Sequence, residues 1–338
     1  MRRWVESGDS VEWFAAGFAG AAPVAELDGI RLVRAGRQWS VHLQAIRRYR
    51  GQLRDRFDLV IDEVNTMPFF TPLWARIPSV LLIFQLAREV WWYESPFPLN
   101  ALGYALEPWY LRAYRATPAF TISQSTADDL RQLNFRGPLT VVPIGIERIS
   151  VDSFERSTQT TFIYVGRLAP SKRVHDILLA FHRFKRDRPR ARLWLVGDGD
   201  PSYVGRLRRQ AAALGLTPEV EFCGRLDAAK KHRRMALAEA LLVTSVREGW
   251  GLVVTEAAAC GTPAIVYDVP GLRDSVRQEQ TGLVVPATPD DLARAMRRLA
   301  DDPALRAKLG AGAREWSRSF SYDRSARVLK AAIRSQLA

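Results

Sequence analysis

The sequence predicts an α/β protein built from two doubly wound domains in tandem. Length, the character of the apolar runs, and what separates those runs carry that prediction. The chain has 338 residues, and about 150 residues per domain suggests two. In the second half, short apolar or β-branched runs follow one another: "TFIYVG" from Thr161, "RLWLVG" from Arg192, "VEFCG" from Val220, "ALLVTS" from Ala240, "PAIVYD" from Pro263 and "GLVVP" from Gly282. Runs that are apolar throughout suit strands buried on both faces. Polar amphipathic segments of helical length lie between them, the alternation of a parallel sheet with helices on both sides.

The first half repeats the pattern less cleanly. Strands are expected at "VEWFAA" from Val11, "IRLVRA" from Ile30, "DLVIDEV" from Asp58, "SVLLIFQ" from Ser79, "AFTISQ" from Ala119 and "TVVPIG" from Thr140. Helices fit residues 40–56, 100–115 and 125–133, with Ser125 and Asp128 as a capping box for the last. The polar, strand-poor stretch after Gly145 marks the boundary. The expected organisation is a first domain over 1–150, a second over 151–320, and a terminal helix over 321–338 packing back towards the first. Ligands of such sheets bind beyond the carboxyl ends of the strands, so the cleft between the domains is the expected site.

Composition narrows the classes. Hydrophobic residues make up 47% of the chain, enough for packed cores. No apolar run approaches the roughly 18 residues of a membrane span. "FAAGFAGAAPVA" from Phe14 loosely resembles a leader, but Glu6, Asp9 and Glu12 interrupt it. Cys223 and Cys260 form neither a disulfide framework nor a zinc spacing, which fits a reducing cytoplasm. The net charge of +13 is uneven, +2 in residues 1–150 and +11 in 151–338. That suits anionic ligands, anionic lipid or nucleic acid, or simply a solvated arginine-rich surface. No nucleic-acid-binding motif accompanies it, so nucleic acid is not an expected partner.

The chemistry concentrates in "REGWGLVVTEAAACGTPAIV", Arg247 to Val266. Glu248-Gly249-Trp250-Gly251 follows a strand and opens a helix near Leu252. A helix start offers free amides and a positive dipole end, and glycines let a ligand approach. Glu256 lies about a turn further on, where a carboxylate can accept hydrogen bonds from vicinal hydroxyls. A nucleotide diphosphate sugar would satisfy all three features: sugar near Glu248, diphosphate at the helix end, ribose at Glu256. In "GRLAPSK", Gly166 and Arg167 follow a strand and Lys172 opens the next helix. Two cations there can clamp a diphosphate and stabilise a leaving group. "LVGDG" with Gly197, and "FCGRL" with Gly224, Arg225 and Leu226, are glycine-bearing strand ends suited to a flat base.

These segments occur in the order and spacing of glycosyltransferase family 4, the retaining transferases of the GT-B fold, and the chain resembles that family over nearly all of residues 10–330. The resemblance implies two Rossmann-like domains facing across a cleft, the second binding the nucleotide sugar and the first supplying the hydroxyl acceptor's site. It implies Arg167 and Lys172 as the diphosphate pair, Glu256 at the ribose, Glu248 at the transferred sugar, and backbone contacts from Gly249, Trp250, Gly251 and Leu252. It implies no metal and no cofactor beyond the donor, and His42, His175, His182 and His232 form no ligand cluster. Double displacement would need a carboxylate on the far face of the sugar, which the sequence does not single out. The family's front-face route is therefore expected, with catalytic roles for Glu248, Arg167 and Lys172.

Departures from the family leave alternatives open. The first strand, its glycine-rich loop and helix are not recognisable, which would leave a slot in the first sheet. Either Met1 is not the natural start or the chain is a fragment. Phe84 and Gln85 stand where relatives often carry a histidine, and Ile144 where asparagine is common. The rival readings are an inactive nucleotide-sugar-binding protein, a sugar-nucleotide epimerase on the same fold, and a basic nucleic-acid binder. The aromatic segment Trp91 to Tyr114 could meet sugars or a lipid tail, or fill the first core. The arginines of helix 40–56 could rest on an anionic membrane at its cytoplasmic face, or simply face solvent.

Overall fold

The computed structural model describes residues 1–149 and 157–337, so the expected boundary at 150 lies outside the described residues. The first half contains α1 (Arg2–Glu6), β1 (Glu12–Ala15), β2 (Val24–Leu27), β3 (Ile30–Arg34), α2 (Val41–Arg48), β4 (Val60–Val64), β5 (Ser79–Ile83), α3 (Val90–Glu94), α4 (Leu99–Tyr110), β6 (Ala119–Thr121), α5 (Gln124–Gln132) and β7 (Leu139–Val141). The second contains β8 (Thr161–Val165), α6 (Val174–Lys185), β9 (Arg192–Val196), α7 (Pro201–Ala213), β10 (Val220–Gly224), α8 (Ala228–Leu237), β11 (Ala240–Val243), α9 (Leu252–Ala259), β12 (Ala264–Tyr267), β13 (Gly282–Val285), α10 (Pro289–Asp301), α11 (Pro303–Ser317) and α12 (Tyr322–Leu337).

In the second half all the strands pair parallel in the order β10-β9-β8-β11-β12-β13. Successive side chains point to opposite faces, and both faces are covered. Phe162 and Tyr164 join a core with Ile177, Phe181 and Leu292 from α6 and α10. Ile163 and Val165 join another with Met235, Val254 and Ala257 from α8 and α9. This is why β8 is apolar at every position but Thr161.

The same alternation governs β5. Leu81 and Ile83 pack with Leu111, Tyr114 and Leu130. Val80 and Leu82 pack with Phe120, Trp4 and Ile333 of α12. The chain's last helix thus covers one face of the first half. Trp4 donates to the Ala326 carbonyl (3.0 Å) and Ser325 to the Pro143 carbonyl (2.6 Å).

The first half departs from one continuous parallel sheet. Among the described residues, β4-β5-β6-β7 form a parallel sheet and β1-β3-β2 a separate mixed one, with no pairing between β1 and β4. β2 pairs antiparallel with β3 and begins inside the small-residue stretch where no strand was expected. The expected helix 40–56 is α-helical only to Arg48 and continues through a π-helical turn, Tyr49–Leu53.

The cap of α5 is Ser123, not Ser125. Its hydroxyl accepts from the Thr126 amide at 3.2 Å, while Asp128 engages Gln124 and Arg131. Ser123→Ala should cost about 1 kcal/mol, as cap removal usually does. A denaturant midpoint shift without a change in slope would register it.

Candidate active site

Strand order places the site. From β8 the chain steps outward through β9 to β10, then returns to β11 on the other side of β8. The crevice beyond the carboxyl ends of β8 and β11 is therefore the switch point where open α/β sheets bind ligands. The loop after β8 carries Arg167 and Lys172, and the loop after β11 carries Glu248 and the start of α9.

The two loops are bonded together. The Val246 amide donates to the Ser171 carbonyl (2.9 Å) and the Thr244 hydroxyl to the Lys172 carbonyl (2.8 Å). Lys172 Nζ meets Glu248 Oε1 at 2.5 Å, and the Ser245 hydroxyl donates to the same oxygen at 2.7 Å. Buried Tyr164 donates to the Arg167 carbonyl (2.8 Å), fixing the turn. Burial, helped by the nearby Glu248 charge, pushes the Tyr164 hydroxyl well up, so it stays a donor. Arg167 itself is exposed.

α9 begins at Gly251, left-handed at φ 84°, with no side chain capping its amides. Glu256 lies on α9 and pairs with Lys231 of α8 at 2.7 Å. The two glutamates thus have separate cations, one in each loop or helix pair. Trp250 turns its ring away from the cations, 5.5 Å from Phe320 and 6.1 Å from Trp316 between ring centres. Its indole donates to Thr255. Leu252 is exposed at the helix start.

The glycines are required largely by the protein itself. A Cβ on Gly197 would lie 1.9 Å from the Gly166 carbonyl oxygen, and one on Gly249 would lie 2.8 Å from that of Phe84. The Cβ position of Gly224 faces open space. Arg225 beside it is exposed and Leu226 half-buried.

Sequence reasoning missed the residues that join the two halves. Arg247 is 7% exposed; its Nε donates to Glu89 Oε2 at 2.8 Å and its Nη1 to Asp129. Burial opposes its charge, yet the two carboxylates prevail and its pKa rises. Glu107 of α4 accepts from the Ala87 and Arg88 amides at 2.6 and 2.7 Å, tethering the loop after β5. Burial pushes its carboxyl up against the pull of those amides. Glu94, the last residue of α3, reaches Arg167 and Ser171. Arg247 stood in plain view as a charge between an apolar strand and a glycine loop. Nothing in the sequence marked Glu94.

A cavity of about 640 Å³ lies behind Trp250, lined by Trp316, Phe320, Arg277 and residues of both halves. It contains none of the Arg167, Lys172 or Glu248 side chains.

Residues 145–316 match the family described as glycosyl transferases group 1. The chain belongs to this family. Among curated proteins it is 36% identical over 175 residues to D-inositol 3-phosphate glycosyltransferase of Streptomyces bingchenggensis, covering 48% of this chain and 38% of that protein. It is 32% identical over 223 residues to glycogen synthase of Mycobacterium tuberculosis, covering 64% and 53%. The chain thus spans about half the length, or less, of these curated relatives.

The fold is similar to that of sucrose-phosphate synthase from Thermosynechococcus elongatus, with TM-score 0.82, 21% identity, and 99% of this chain and 90% of the other covered. It is similar also to Anabaena HepE in complex with UDP-glucose, with TM-score 0.72, 19% identity and coverage of 91% and 87%. At these identities the likeness is one of fold. It is the GT-B fold of two Rossmann-like domains. Among the described residues no helix is long and apolar enough to cross a membrane, and no three His, Cys, Asp or Glu side chains converge as metal ligands would.

Proposed function

We propose that the protein is a retaining glycosyltransferase that moves a sugar from a nucleoside diphosphate sugar to a hydroxyl acceptor. The observation that carries this reading is the convergence of Lys172 and Glu248, 2.5 Å apart, beside Arg167 and an uncapped helix start at the switch point. The diphosphate lies against the first amides of α9, between Arg167 and Lys172. Glu256 takes the ribose hydroxyls and Glu248 the ring hydroxyls of the transferred sugar. A solved structure of similar fold is described as a complex with UDP-glucose, which supports a nucleotide sugar as donor.

In the transfer, the bond from the anomeric carbon to the diphosphate oxygen breaks and its electron pair leaves with the diphosphate. The acceptor oxygen forms the new bond on the same face, and its proton passes to the leaving phosphate oxygen. Arg167, Lys172 and the helix end stabilise the charge that develops there, without a metal. The protein's contribution is position and electrostatics.

Thermal shift with UDP, GDP and ADP tests the reading. At 100 times its Kd, the matching nucleotide adds about 2.7 kcal/mol, a rise of roughly 4 °C for a chain of this length. Arg167→Ala should weaken that nucleotide about tenfold. Glu256→Ala should weaken the nucleotide while leaving inorganic pyrophosphate binding unchanged. If no nucleoside diphosphate raises the melting temperature, the reading fails.

A further inference from the structure

The cation expected to meet the donor is already holding an anion, and that anion comes from the other half of the molecule. Glu94 Oε2 lies 3.2 Å from Arg167 Nη2. Its Oε1 accepts from the Ser171 hydroxyl and, at 3.4 Å, from the Ser171 amide. A guanidinium, a hydroxyl and a backbone amide on one strand-to-helix loop form the donor set that a phosphate oxygen group takes. A carboxylate offers a similar pair of anionic acceptor oxygens. Glu94 is also well placed to hold on: its side chain is 24% exposed, against 61% for Arg167.

α3 is fastened to the second half at both ends. Glu89, just before it, accepts from Arg247, and Glu94 closes it onto Arg167 and Ser171. The contact differs from the Lys172–Glu248 pair, whose members both belong to the second half and are set by loops bonded to each other. Glu94 belongs to the first half, so its side chain can leave without breaking the bonds between the two second-half loops.

We propose that Glu94 is an affinity-determining residue of the donor site, an internal anion that occupies the Arg167–Ser171 position and that the donor diphosphate must displace. The inference rests on the reading of Arg167 as a diphosphate ligand. Two anions cannot share one guanidinium and one hydroxyl, so the measured affinity for diphosphate is the intrinsic affinity divided by the cost of releasing Glu94. By the same linkage, donor binding releases the Glu94 end of α3 from the second half, while the Glu89 end stays tied to Arg247.

The test is calorimetric titration of the full chain with UDP, GDP and ADP, and with the matching nucleoside alone, in wild type, E94Q and E94A. E94Q keeps the size of the side chain and removes its charge; E94A removes the competitor entirely. Both should bind the nucleoside diphosphate more tightly than wild type, by roughly three- to tenfold, with E94A at least equal to E94Q. The bare nucleoside, which does not reach the anion position, should bind all three alike. A purely structural role would weaken both ligands in both variants. If wild type binds a nucleoside diphosphate and both variants bind it equally or more weakly, Glu94 is not a competitor and the inference is overturned while the donor site stands. If no form binds any nucleoside diphosphate, the donor-site reading falls and takes this inference with it.

Discussion

Glu248→Ala should lower the rate of sugar transfer by about a hundred- to a thousandfold, the usual loss when one preorganised polar group is removed from a reacting centre. Nucleotide affinity should change in the opposite sense or hardly at all. In the structure Glu248 holds Lys172 at 2.5 Å and takes the Ser245 hydroxyl at 2.7 Å. Removing the carboxylate leaves Lys172 with no competing anion, so a diphosphate gains a freer cation. The sugar, in contrast, loses the acceptor that orients its hydroxyls, and orientation governs the rate of a reaction whose chemistry is carried by the leaving group itself. Steady-state rates with Kd measured separately would distinguish the two effects. A variant with wild-type turnover would remove Glu248 from the reaction. A fall in nucleotide affinity matching the fall in rate would make it a binding residue for the diphosphate end instead.

The loops that bring Glu248 to Lys172 were legible in the sequence because the second sheet is buried on both faces. Most of its strands are largely apolar runs ended by glycine or a polar residue, and the strand-end loops follow directly. The first half was harder for a physical reason. β2 is half of an antiparallel hairpin in which Val24, Glu26 and Leu27 are exposed and Ala25 is partly covered, so it lacks the apolar signature of a buried strand. Ser125 has an acid three residues on, the capping-box spacing, whereas Ser123 has Thr126 there, so local pattern favours Ser125 although Ser123 is the cap. Of the aromatic segment, Tyr114 is fully buried while Trp92, Phe97 and Trp109 are exposed; composition gives no rule for that division. The glycines were read as openings for a ligand, yet Gly197 and Gly249 accommodate neighbouring carbonyls. Glu94 and Asp129 could not be read at all, since their partners lie 73 and 118 residues away in sequence and meet only when the halves face each other.

That meeting depends most on Arg247, and Arg247→Met should show it. The guanidinium leaves the second half just before Glu248 and enters a first-half pocket bounded by Glu89 and Asp129, with Glu107 close enough to feel its charge. Methionine preserves the aliphatic length but removes the cation that Glu89 and Asp129 share, leaving Arg88 to act on Glu89 and Glu107. Breaking a buried pair by deleting one member costs about 3–5 kcal/mol. Because Glu89 is half-exposed and can turn to water, about 2–3 kcal/mol is expected here, a fall of roughly 3–4 °C at neutral pH. The pH dependence has a definite sign. Burial, the largest single influence, would raise Glu89, but the hydrogen bond from Arg247, a backbone amide and the charges of Arg247 and Arg88 together outweigh it and hold the carboxyl below the usual glutamate range. A depressed folded-state pKa gives stability that is present above the unfolded value and lost as pH falls through the folded one. The gap between wild type and Arg247→Met should therefore be full at pH 7 and narrow below about pH 4 as the carboxylates take up protons. Arg247→Lys keeps the charge but not the two-pronged fork, and should fall between the two. Melting curves of the three proteins at pH 7 and at acid pH decide it: a gap that stays constant across the range would mean that Arg247 joins the halves by packing and not by charge.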